Sequence, residues 1–317
     1  MKKNTKFKII ILLSIFILTT GCTTTLKGED KKVVTNPETG QSLTKNILCQ
    51  PEDKKIIKKY EENGVDIDKL PKCSNFKITS GGYEGLWESI FVKPLAFVIL
   101  QIDNIVKSSG LALIITSVLI RLIAYPVTKK TAIQSELLKK AQPELEKLEK
   151  KYQNKTDQES LMRKSQEMTI IYKKYNINPI SGCLYGFLQL PLFIAFLEAI
   201  NRVPALYEEK FIGLQLGTTP SVGLLTNHNF LYLVLVLVIG LTTYYSFKLN
   251  KTTADTKNDP MALMTNTMTG MIIVMSFFMP AALCIYWLTT NLFTVIQNLI
   301  VKRSNEVWKN MNIVEKH

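Results

Sequence analysis

Apolar residues in this chain are gathered into runs rather than scattered. Beyond an N-terminal run at Ile9–Leu18, five stretches near 20 residues long are predominantly apolar: Ser109–Thr128, Ser181–Ile200, Phe230–Phe247, Ala262–Met279 and Ala281–Val301. About 20 residues is what a helix needs to cross a bilayer core. The pattern therefore predicts an all-α integral membrane protein with five mature transmembrane helices spread over 109–301. Only Pro280 separates the last two, which predicts a tight hairpin. Residues 84–107 follow another pattern. Trp87, Phe91, Leu95, Val98, Ile102 and Ile105 recur at helical spacing, while Glu88, Lys93, Gln101, Asp103 and Asn104 interrupt any spanning run. That combination predicts an amphipathic helix lying in the outer interface, its rival being a poor transmembrane helix with Lys93 and Asp103 inside it. Residues 129–177 turn polar. Ala141, Leu145, Leu148 and Tyr152, then Leu161, Ser165, Met168, Tyr172 and Tyr175 after a break at Gln153–Asp157, alternate steps of four and three. This is the seam of an antiparallel coiled-coil hairpin, with Pro143 opening the long part of its first arm.

The N-terminal run is preceded by Lys2, Lys3, Lys6 and Lys8, so 1–21 reads as a secretory signal. Gly21-Cys22 at its end resembles the lipobox of bacterial lipoproteins, which implies a cleaved signal and a lipidated, palmitate-type anchor on Cys22. Thr19 departs from the leucine usual there. Residues 22–83 are polar and lysine-rich, with too few large apolar residues for a substantial core, and read as an extracytoplasmic tether. A short helix within Glu52–Glu62 is stopped by Asn63-Gly64. Cys49 and Cys73 leave two readings open, a disulfide or two free thiols.

The net charge of +13 would suggest nucleic acid in a soluble chain, but at a mean hydropathy of +0.10 with long apolar runs it must be read by side of the membrane. The hairpin carries twelve lysines and arginines between Lys129 and Lys174. The loop Asn201–Asn229 has only Arg202 and Lys210, whereas 248–260 has Lys248, Lys251 and Lys257, and the tail 302–317 has Lys302, Arg303, Lys309 and Lys316. The bias places the hairpin and tail in the cytoplasm and the mature N-terminus outside. A basic arm beside the membrane suits lipid head groups or ribosomal RNA, and nothing suggests DNA. His228 and His317 stand far apart with no metal-ligand spacing, and no nucleotide-binding or hydrolase motif occurs. No enzyme activity and no cofactor are expected.

Arg121 is the only formal charge in the first span, about 18 Å from Ser109 and about 10 Å from Thr128 at helical rise. A charge at that depth is either a snorkelling or helix-paired structural group, or it faces a watery cavity and meets something negative. The other spans bear on the choice. Gln189 lies about 12 Å from the cytoplasmic end of the second span. Thr242, Thr243 and Ser246 close the third, and Thr265, Asn266, Thr267 and Thr269 open the fourth. The fifth is apolar from Ala281 to Leu288 apart from Tyr286 and Trp287, then carries Thr289, Thr290, Asn291, Thr294, Gln297 and Asn298. Any single threonine can simply bond its own helix backbone. The set, confined to the cytoplasmic half, predicts a hydrated indentation closed on the outside. Glu198, near the outer end of the second span, is the exception and reads as interfacial.

Arg121 in LIRLIAYP, Asn178-Pro179 with Gly182-Cys183, Gln189-Leu-Pro-Leu-Phe193, and Pro280 followed by Tyr286-Trp287 and Asn291 resemble the YidC/Oxa/Alb family of membrane protein insertases, in its Gram-positive lipoprotein-type form. The order holds across about 84–301. Tyr185 stands where that family usually has proline, and 23–83 is longer and more lysine-rich than the family form. The resemblance implies a lipid-open groove in which Arg121, Gln189 and Trp287 take the family's positions, with Tyr286, Asn291, Thr242 and Thr267 around it. It also implies a hairpin that receives nascent membrane proteins, a basic tail that approaches the ribosome, and cooperation with the Sec translocon. Two rivals are a small-solute transporter, which would want inverted repeats that are not visible here, and a structural envelope lipoprotein, which would leave Arg121 without a purpose.

Overall fold

Helices dominate a computed structural model that describes residues 23–178, 180–249 and 260–304. The signal segment, Cys22 and most of the basic tail lie outside the described residues. Among the described residues, four helices are long and apolar enough to cross a membrane: Glu88–Val106, Ser109–Tyr152, Leu231–Leu249 and Ala281–Arg303. Helices also form at Ile180–Arg202 and Pro260–Ser276. The chain divides into two compact units, each taken separately below. The first draws on Met1–Ser117, Gln189–Val236 and Met275–Trp287, the second on Val118–Leu188, Leu237–Val274 and Leu288–His317.

The first unit begins with a folded module where the sequence suggested a tether. Leu26, Leu43, Ile47, Ile56, Tyr60 and Ile67 form its core, with Val34, Val65 and Leu70 packed against them. Bridges pair Thr25 with Thr44, Lys27 with Val33 and Thr35 with Ser42. Helix α1 (Lys54–Glu62) starts where the Asp53 carboxylate accepts from the Lys55 N–H, and buries Ile56 and Tyr60. Cys49 and Cys73 are joined, with Cα atoms 4.9 Å apart. Few apolar residues suffice because the covalent link removes chain entropy from the unfolded state. The module also shares its burial with a neighbouring segment of the same unit. The Tyr60 and Tyr207 hydroxyls are 3.4 Å apart, and the Glu208 carboxylate accepts from the Glu52 and Asp53 N–H groups. Burial pushes the Tyr60 phenol up to about 12, so it stays neutral in this contact.

Helix α2 (Lys93–Val106) divides the apolar positions counted from Trp87 between buried and exposed faces. Val92, Leu95, Ala96, Ile99 and Leu100 face inward, while Phe91, Val98 and Ile105 are exposed, Ile105 at 80%. The reason lies just upstream. The Lys93 N–H reaches back five residues to the Glu88 carbonyl, so one extra residue enters the turn and shifts the phase by about 100°.

Helix α3 (Ser109–Tyr152) runs unbroken for 44 residues, with Pro126 and Pro143 inside it. Pro143 therefore does not start an arm. Each proline forfeits one backbone bond, which neighbouring turns absorb. At its start Gly110 lies against the ring of Phe211, leaving no room for a Cβ. Gly110→Ala is expected to destabilise the protein by about 1–3 kcal/mol, because the clash is with the ring and not with a flexible chain end. A thermal scan of the detergent-solubilised chain checks this, and Phe211→Ala in the same chain should recover part of the loss.

In the second unit, helix α4 (Gln158–Lys174) starts where Asp157 accepts from the Ser160 N–H and lies along the distal part of α3. Leu138, Ala141 and Leu145 pack against Met168, Ile171, Tyr172 and Tyr175. Ion pairs Lys151–Glu167 at 2.6 Å and Lys174–Glu144 at 2.6 Å flank the seam. Leu161 and Ser165 are exposed, so the expected seam stops short of the tip. A separate cluster joins Ala132, Ile133 and Leu137 of α3 to Val301. Helices α5 (Ile180–Arg202), α6 (Pro204–Glu208), α7 (Pro220–Leu225), α8 (Leu231–Leu249), α9 (Pro260–Ser276) and α10 (Ala281–Arg303) complete the chain, with a two-residue antiparallel pair at Lys210–Phe211 and Leu214–Gln215.

Candidate functional site

Ordinary soluble helices bury apolar residues and expose polar ones. Over parts of α3, α8 and α10 the second unit buries polar residues and exposes apolar ones. Arg121, Thr128, Thr131 and Ser135 on α3 are buried, Arg121 with only 5% of its surface exposed. Their steps of seven, three and four place them on one helical face. Leu119, Leu122, Ile123 and Val127 face outward from the same stretch, Ile123 at 79%. On α10, Thr290, Thr294, Gln297 and Asn298 are buried while Leu292, Ile296, Leu299 and Ile300 are exposed. On α8, Thr243 and Ser246 are buried and Leu237 and Leu241 exposed. This inversion suits a hydrocarbon surround, where an outward polar group would lack a partner.

The inward polar groups bond one another across helices. Asn291 donates to the Thr243 hydroxyl at 2.7 Å, and the Thr128 hydroxyl donates to the Gln297 side-chain oxygen at 3.0 Å. Each such bond spares a penalty of about 1–3 kcal/mol for an unmet buried group. Thr242 is half-buried and bonds the carbonyls of Val238 and Ile239 on its own helix. Thr267 is exposed. Neither is drawn into the cross-helix bonds.

The other predicted residues lie in the first unit. Gln189 donates to the Tyr286 hydroxyl at 3.3 Å. Tyr286 stacks on Phe196 with centroids 4.0 Å apart, and Trp287 meets Phe193 edge-on at 5.0 Å. Gln189, Phe193 and Phe196 step by four and three along α5, which lines them up to meet the aromatic pair of α10. A polar amide is thus seated at the end of an aromatic ladder.

Sequence reasoning missed a buried charge cluster in the first unit. Arg202, the last residue of α5, and Lys93, the first of α2, are each 1% exposed, and Glu88 is 4% exposed. The Glu84 carboxylate bridges both cations, at 3.0 Å from Arg202 and 3.1 Å from Lys93. Glu88 pairs with Arg202 as well. Lys93 also donates to the Ser80 and Gly82 carbonyls. Glu198, expected at an interface, is buried and accepts from the Trp87 indole at 3.1 Å. Removing Glu88 or Arg202, the buried pair of the cluster, strands its partner at about 3–5 kcal/mol, whereas Glu84 is partly open to solvent and counts for less. The signal was present in Arg202 as a lone cation beside a span end, but its acidic partners lie over a hundred residues upstream.

Comparison with known proteins then gives these elements a setting. The family described as 60Kd inner membrane protein matches residues 101–309. A membrane protein insertase YidC of Oceanobacillus iheyensis is 33% identical over 227 residues, covering 69% of this chain and 85% of that protein. The insertase MisCA of Bacillus subtilis is 33% identical over 236 residues, covering 74% of this chain and 86% of MisCA. A crystal structure of an active YidC insertase shares the fold at a TM-score of 0.50 and 22% identity, covering 72% of this chain and 49% of that one. The chain is a member of the YidC family of bacterial multi-pass membrane protein insertases, of the Bacillus type, which act on membrane proteins without enzymatic chemistry.

Proposed function

We propose that the inward polar face around Arg121 forms part of a hydrated groove, open to the cytoplasm and lipid and closed outside, through which this insertase passes its substrates. The single observation carrying the reading is the inverted burial along α3, α8 and α10, with Arg121 inside and leucines and isoleucines outside. Five spans cross the membrane, at α3, α5, α8, α9 and α10. The stretch 84–107 lies in the outer interface, and the α3–α4 hairpin projects into the cytoplasm. A nascent single-span protein must carry a short, often acidic, N-terminal segment across about 30 Å of hydrocarbon. A half-depth wet groove shortens the dry path, and a fixed cation attracts the segment. The substrate helix then leaves sideways into lipid, driven by its own burial and the membrane potential. Within the first unit, Gln189, Tyr286 and Trp287 give a separate mixed polar and aromatic surface that a substrate helix could meet. Further parts of the reading are a lipid anchor on Cys22, a ribosome contact through the tail and hairpin, and work alone or with the Sec translocon.

The test is depletion of the protein with quantitative membrane proteomics, paired with insertion of a single-span substrate into liposomes holding the purified full chain. Loss of single-span proteins with an acidic outer segment, and protease-protected product in the liposomes, are expected. Normal levels of such proteins alongside lost uptake of a solute would instead mark a transporter.

A further inference from the structure

The N-terminal module lies outside the part of the chain that the family description matches, yet it contributes directly to the seating of a family helix. Arg202 ends α5, and both its backbone and its side chain are taken up by residues 46–48 of the module. Its carbonyl accepts from the Leu48 N–H at 2.8 Å, and its Nε donates to the Asn46 carbonyl at 2.6 Å. The rest of the guanidinium is held by Glu84 and Glu88, just before α2. One residue therefore fastens three segments. The module's side of that clasp is itself fixed, because Cys49 adjoins Leu48 and is bonded to Cys73. The Gln50 and Lys72 bridge runs alongside.

We infer that Arg202 is a positioning residue for insertion, and that the disulfide-braced loop 46–49 is the module's half of its socket. An arginine suits the place because its planar fork can meet a carbonyl and two carboxylates at once, whereas a lysine ammonium offers no such fixed set of directions. A cation at a helix C-terminus also complements the helix dipole. Gln189 lies thirteen residues before Arg202 on the same helix, about 20 Å along its axis. Holding the C-terminal end of α5 therefore sets the height and rotation at which α5 presents Gln189, Phe193 and Phe196. The module acts on the reaction through this helix and touches no substrate.

The experiment uses the full chain in liposomes with an acidic-tailed single-span substrate. Four proteins are compared: wild type, the pair Cys49→Ser with Cys73→Ser, Arg202→Met and Arg202→Lys. Trypsin accessibility of the lysine-rich module reports undocking, and a cysteine-crosslinking pair placed between Gln189 and Tyr286 reports the setting of α5. The paired serine variant is expected to raise trypsin cutting within 23–83, weaken the 189–286 crosslink severalfold and slow insertion about fivefold. Arg202→Met should do the same or worse, and Arg202→Lys should restore part of the crosslink and the insertion together. Insertion and crosslinking at wild-type levels while the module is readily cut would overturn the inference. A protein that fails to fold is recognised by the collapse of its thermal transition, and the serine pair then carries the test because it leaves the α5 charge cluster intact. If wild-type protein itself inserts nothing, the insertion reading has failed and not the clasp, because the crosslink and trypsin readouts still report on Arg202.

Discussion

Replacing Arg121 by alanine is expected to slow insertion of acidic-tailed substrates about tenfold or more while leaving the protein's level unchanged. Two unit charges about 8 Å apart at an effective dielectric near 20 attract by about 2 kcal/mol. Losing that attraction in the rate-limiting passage costs somewhat more than one decade of rate. Arg121 is 5% exposed and seated on the polar face of α3, so protein groups and not lipid surround its charge. Arg121→Lys should keep most of the activity, since a long cation remains. Arg121→Glu should be worse than alanine, since attraction becomes repulsion. Neutralising the substrate's acidic residues should reduce its dependence on the arginine. An alanine variant that folds and inserts every acidic substrate at the wild-type rate would refute the charge mechanism. If lysine fails as badly as alanine, the planar fork is what matters and Arg121 is a hydrogen-bonding hub.

Replacing residues 140–172 with a short glycine-serine linker is expected to abolish most insertion while the membrane helices stay folded. The two clusters along α3 make this separation testable. Ala132, Ile133 and Leu137 pack with Val301, whereas Leu138, Ala141 and Leu145 pack with the α4 side of the hairpin. The cut takes Ala141, Leu145, Met168, Ile171 and Tyr172 out of the second cluster and spares the first, so the thermal transition of the membrane helices should shift little. The ion pairs at Lys151–Glu167 and Lys174–Glu144 are exposed and add little on their own. Leu145→Ala is the milder form of the same test. It should loosen the hairpin, seen as protease cutting near 153–157, and lower insertion in proportion. Unimpaired insertion by the linker protein would remove the hairpin from the reaction.

The helical stretches were legible because hydropathy and period are properties of adjacent residues. Leu231–Leu249 and Ala281–Arg303 fall within a few residues of the apolar runs that predicted them, and Pro280 marks the break between α9 and α10. The apolar positions Ala141, Leu145 and Tyr172, which pack together between α3 and α4, were readable for the same reason. The polar stripe of α3 was also present in the sequence, at steps of seven, three and four from Arg121, because a polar face obeys the same 3.6-residue period as an apolar one. What failed was continuity of phase. The extra residue in the turn before Lys93 rotated α2 away from the stripe counted from Trp87, and Pro143 stayed inside its helix instead of opening one.

By itself, then, the sequence determined which stretches are helical and apolar, where the cations gather, and that the polar residues of the spans collect towards one end. Each of these depends only on neighbours within two or three turns. Tertiary structure alone decided the rest. Thr128 meets Gln297 across 169 positions, Trp87 meets Glu198 across 111, and Arg202 meets Asn46 across 156. A lone threonine or arginine carries no local mark of its partner, because the pairing depends on how each helix is rotated and how high it sits. The N-terminal module shows the same limit from the other side. Its composition is too polar to announce a core, and it folds because a disulfide and a docked neighbour supply what its own few apolar residues do not.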